Sequence, residues 1–109
     1  MKTKITKITS EFNNVYRIEG NNFMLDIFSF EDNDIPVVGK TLEYRFLESH
    51  NDIPKTGIFM NGKAIKLTKD GQTHVSFGGL MGSFSGYKVE KIGDPVSIWI
   101  NILTTENLI

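Results

Sequence analysis

Turn signals recur about every 8–12 residues along this chain, and the segments between them alternate side chains with a period of two. No ten-residue segment carries apolar side chains at convincing helical spacing. This rhythm restricts the fold to short strands joined by tight connections. A strand turns successive side chains to opposite faces, whereas a helix needs a 3.6-residue repeat to build one apolar stripe.

Lys2 to Thr9, mixing Thr and Ile, reads as a first strand. Asn13-Asn14 and Gly20-Asn21-Asn22 are turn signals on either side of Val15 to Glu19. Phe23 to Ser29 places Phe23, Leu25 and Ile27 on one face and Met24, Asp26 and Phe28 on the other. Two largely apolar faces predict a central strand. Glu31 to Lys40 is an acidic loop, and Thr41 to Leu47 turns Leu42, Tyr44 and Phe46 inward. Glu48 to Thr56 is a polar loop holding Pro54. Gly57 to Met60 and Lys63 to Thr68 flank Asn61-Gly62, a dipeptide that predicts a hairpin turn with positive φ at both residues. Asp70-Gly71 makes the next turn. After Gly93-Asp94-Pro95, Val96 to Leu103 sets Val96, Ile98, Ile100 and Ile102 on one face and Trp99 on the other.

That makes seven or eight short strands. The expected fold is all-β, a small closed antiparallel barrel of about eight strands, in a single domain covering residues 1–109. Glycines let a small sheet bend sharply enough to close, and closure removes exposed edges. The stretch His74 to Lys88, HVSFGGLMGSFSGYK, is rich in them: Gly78 and Gly79 fall inside what starts as a strand, with Gly82 and Gly86 following.

Composition excludes several chemistries. The chain has no cysteine, so a disulfide framework, a thiolate zinc site and a thiol nucleophile are all absent. Its net charge of −1 gives no basic excess of the kind general nucleic-acid binders carry. No apolar run approaches the roughly 18 residues of a membrane span. The expectation is an intracellular chain that is not a membrane protein.

Few constellations could carry chemistry. His50 and Asp52 lie two apart in a polar loop, short of the three or four ligands a metal needs. Glu31, Asp32 and Asp34 lack the glycine and final glutamate of a calcium loop and read as solvated charge. His74 stands alone at a strand start. Gly82-Ser83-Phe84-Ser85-Gly86 matches a nucleophile elbow only in its outer spacing and reads as a turn. No catalytic residue, cofactor site or metal site is expected. Lys55, Lys63, Lys66 and Lys69, with Phe59 nearby, form a modestly basic zone. Barrels that bind single strands combine such charge with stacking aromatics, although a solvated hairpin explains the pattern more simply.

Val75-Ser76-Phe77-Gly78-Gly79-Leu80-Met81 resembles the signature strand of the small barrel subunit shared by eukaryotic RNA polymerases I, II and III, the eighth-subunit family. Four further segments resemble that family in the same order: Phe23 to Ile27, Gly39-Lys40 before Leu42, Ile58 to Lys63, and Val96 to Ile100. Together they cover about Ile5 to Leu103. The chain departs from the family in its short Glu48 to Thr56 loop. It also has Gly82 or Ser83 where the family has a basic residue. Compact loops and many Lys, Ile and Asn residues suit a divergent, AT-rich source such as a large DNA virus.

The resemblance implies an eight-stranded barrel of oligonucleotide-binding type that does no chemistry itself. It implies docking on the largest polymerase subunit as an assembly and stability component, in the nucleus, or in the cytoplasm or virion of a viral system. Nucleic acid would be met only indirectly. Gly78, Gly79, Leu80 and Met81 are the expected partner-binding residues, the glycines forming a notch that admits a partner backbone. The alternative is a free-standing barrel that binds single-stranded nucleic acid through Phe59, Lys63, Lys66 and Lys69.

Overall fold

The computed structural model describes residues 1–12, 14–28, 37–48 and 54–103. They form one antiparallel sheet of nine strands: β1 (Lys2–Lys4), β2 (Lys7–Phe12), β3 (Val15–Gly20), β4 (Phe23–Phe28), β5 (Thr41–Phe46), β6 (Ile58–Leu67), β7 (Gln72–Phe77), β8 (Leu80–Ser85) and β9 (Pro95–Ile102). The order across the sheet is β1-β5-β9-β6-β7-β8-β4-β3-β2. No helix occurs among the described residues.

The expected closed barrel of about eight strands is corrected to an open half-barrel that curls through 286°. The reason lies at Ile5 and Thr6. The expected first strand breaks there into β1, which pairs with β5, and β2, which pairs with β3. The two pieces are neighbours in sequence but stand at opposite ends of the strand order. Ile5 donates its N–H to Lys40 O and accepts from Gly39 N–H, while Thr6 donates its N–H to Glu19 O. The backbone thus changes partners at this step, and no ladder joins the two edges.

A second correction concerns Asn61-Gly62. The two residues lie within β6, which runs unbroken from Ile58 to Leu67 and pairs with β9 through Asn61↔Ser97 and Gly62↔Val96. Neither residue has positive φ. Glycine is needed at 62 for proximity: a Cβ there would run into Ser76 O and lie 2.7 Å from the Phe77 ring. Asn61 turns outward and accepts a hydrogen bond from the Ser97 hydroxyl at 2.6 Å.

The alternation read from the other strands holds. Leu25, Ile27, Leu42, Val75, Val96, Ile98 and Ile100 are buried, and with Ile5, Ile18, Phe23, Ala64, Phe77 and Phe84 they form one core cluster. Phe23 and Phe84 continue into an aromatic group with Tyr44, Phe46 and Tyr87, in which Phe46 and Tyr87 stack at 3.8 Å. Burial pushes the Tyr44 phenol up from its usual pKa. Burial does the same for Tyr87, reinforced by the negative charges of Glu48 and then Asp94. On the outer face Trp99 is also buried. Its indole N–H donates to Thr56 O at 2.6 Å, and the Arg45 guanidinium lies 4.9 Å from its ring centre.

Candidate docking hairpin

β7 turns Thr73, Val75 and Phe77 into the core and His74 and Ser76 outward. Phe77 then faces Leu80 across the β7–β8 pair, which leaves Gly78-Gly79 as a two-residue connection. This corrects the reading of one glycine-bearing strand: the two glycines make a hairpin turn, with φ of 65° and 103°. Positive φ at both central residues matches the right-handed twist of the strands and is costly for any residue with a side chain, least so for Asn and Asp. Both glycines are exposed, and nothing lies within 4 Å of where a Cβ would stand. They form a protruding tip, so the expected notch in the barrel wall is absent at this position.

The four expected partner-binding residues therefore divide. Gly78 and Gly79 are the tip. Leu80 is half-buried, packs against the core and lines a cleft of about 230 Å³ together with Ile27, Phe28, Met60 and Phe77. Met81 points to the opposite face, as the next residue of a strand must. Phe28 adds an apolar surface that is 48% exposed.

Asp26 is the residue the sequence reading missed. It is buried on the outer face of β4, where its carboxylate accepts two hydrogen bonds from Arg17, Nε to Oδ1 at 2.7 Å and Nη2 to Oδ2 at 3.1 Å. The same Oδ2 accepts the Met81 N–H at 3.1 Å. A lone acid in the otherwise apolar run Phe23 to Phe28 was the available signal. Asn21-Asn22 as a two-residue hairpin loop then sets Arg17 opposite Asp26.

The residues of the alternative reading lie along β6 and its turn. Phe59 pairs in register with Trp99 on the outer face and lines the Leu80 cleft as well as a cavity of about 550 Å³ beside Ile100 and Ile102. Lys63 is exposed, Lys66 stands opposite His74 beyond a bulge, and Lys69 lies in the turn after β6. Among the described residues no three His, Asp or Glu side chains gather where they could hold a metal. His50, Asp52, Glu31, Asp32 and Asp34 fall outside the described residues. Ser83 and Ser85 turn outward on β8, Ser83 donating to Gln72 Oε1 at 3.4 Å, with no strand-to-helix elbow at this site. Comparison with known proteins returns no matching family model and no matching curated protein.

Proposed function

We propose that this chain is a non-catalytic structural and assembly subunit of a multisubunit DNA-directed RNA polymerase. It docks on the largest subunit through the β7–β8 hairpin, with the curled sheet serving as an oligonucleotide-binding-type domain. The supporting observation is the exposed hairpin at Gly78-Gly79 with Leu80 and Phe28 lining an apolar cleft beside it. The ordered resemblance of five sequence segments to the eighth-subunit family supplies the partner. An apolar cleft edged by a projecting turn suits a protein surface, since apolar anchors seated in pockets carry most of the energy of such contacts.

The test is co-expression of a tagged copy with the largest polymerase subunit, followed by mass spectrometry of what copurifies. Stoichiometric recovery of that subunit is expected. Phe28→Glu is expected to abolish it while leaving the circular dichroism unchanged, because Phe28 is half-exposed. Recovery of no polymerase subunit rejects the proposal.

A second reading has one observation in its favour: β6 carries Phe59 and Lys63 on one outer row, with Lys66 and Lys69 further along the same course. Single-stranded nucleic acid laid along that strand would meet an aromatic face and three ammonium groups. Sub-micromolar binding at physiological salt, lost in Lys63→Glu with Lys66→Glu, would establish it.

A further inference from the structure

We infer that Asp26 is a positioning residue for the β7–β8 hairpin, holding its docking tip against β4 beyond the end of the backbone ladder. The inference rests on the docking role proposed above. β4 and β8 are in register only through Phe23↔Phe84, Met24↔Ser83 and Leu25↔Gly82. Along a strand, successive N–H groups point to alternate neighbours. Ser85 N–H donates to Asn22 O at 3.0 Å, on the β4 side. Ser83 and Met81 therefore direct their N–H groups the same way.

At Met81 the acceptor is the Asp26 carboxylate in place of a main-chain carbonyl. A side chain reaches further than a carbonyl, so the hairpin can stand away from β4 and remain attached. The apolar cleft lined by Leu80 and Phe28 lies beyond the last registered pair, Leu25↔Gly82. Arg17 fixes the carboxylate: its planar fork binds both oxygens and selects one rotamer. The Asp26 side chain is 7% exposed, and this charge-assisted bond works out of competition with water. Among the described contacts, no other hydrogen bond ties Leu80 or Met81 to β4.

Amide exchange by NMR on the isolated chain measures the latch, and copurification with the largest polymerase subunit measures positioning. In Asp26→Ala the Met81 amide should exchange at least about tenfold faster, while Ser83 and Ser85 change by less than about twofold. Recovery of the largest subunit should fall about tenfold. Asp26→Asn should restore part of both losses, because its amide oxygen, turned toward β8, accepts the Met81 N–H in place of the native Oδ2. If Asp26→Ala does not fold, Arg17→Leu with Asp26→Leu replaces the ion pair by apolar groups and serves in its place. Unchanged Met81 exchange overturns the inference, as does faster exchange with undiminished association. If the wild-type chain recovers no polymerase subunit, the docking role fails and the positioning claim with it, whereas exchange at Met81 still decides the latch.

Discussion

At Gly62 the backbones of β6 and β7 come too close for a side chain. A Cβ would meet Ser76 O and the Phe77 ring, so the obstacle is largely main chain and cannot swing aside. Gly62→Ala should lower the melting midpoint by at least about 4 °C, and Gly62→Val by more, since overpacking costs about 1–3 kcal/mol. Asn61→Val separates this account from a hairpin turn. In a strand, an exposed β-branched residue is tolerated with loss of the Ser97 bond, whereas a turn residue with positive φ would be strained. Near-wild-type melting of Asn61→Val with a depressed Gly62→Ala is the expected pair, and the reverse order would restore the turn. Tyr87 gives a pH signature. Its phenol is raised above 10.0 in the folded state, so the stabilisation is full below that value and is lost as pH rises through the folded pKa. Melting should therefore fall more steeply above about pH 10 in wild type than in Tyr87→Phe. Parallel profiles would show that Tyr87 titrates alike in both states.

The β7–β8 hairpin shows where reading the sequence by element succeeds and where it stops. Alternation identified β4, β5 and β9 together with their inward residues, because one buried face leaves a period-two imprint. The same logic could not rank two glycine-bearing dipeptides. Asn61-Gly62 has the stronger turn chemistry, yet pairing with β9 from Ile58 through Lys63 keeps it extended. Gly78-Gly79 carries the turn, because Val75 with Phe77 and Leu80 with Gly82 face one another across it. The Asp26 clasp was hidden for a related reason: it needs β8 beside β4, a pairing between strands more than fifty residues apart in sequence. The turn at Gly78-Gly79 makes Gly79→Val a test of backbone conformation. At φ of 103° a β-branched residue is strained by about 1–3 kcal/mol, so this substitution should lower the melting midpoint of the isolated chain. Gly78→Asn, which suits a left-handed turn position, should leave it within about 2 °C. Equal melting of the two variants would show that the tip is not a turn of this type.

For the molecule as a whole, the decisive feature is that one short segment serves both ends of the sheet. β1 closes the outer edge of β5 and β2 that of β3, and only Ile5 and Thr6 separate them. Ile5 is 1% exposed and inserts into the core cluster, while its backbone bonds the Gly39-Lys40 turn and its successor bonds Glu19. Composition and alternation made Lys2 to Thr9 look like one ordinary strand, since nothing local records a change of partner. Both edges hang on this step, so damage there should propagate to β5 and β3 together. Ile5→Ala leaves a cavity and should cost about 2–5 kcal/mol, whereas Lys4→Ala, at an exposed position one residue away, should cost under about 0.5 kcal/mol. Chemical denaturation of both variants measures the difference. Amide exchange should show β3 and β5 loosened together in Ile5→Ala. Loosening confined to β5 would mean that β2 is held by β3 alone, and that the two edges of the open half-barrel are energetically separate.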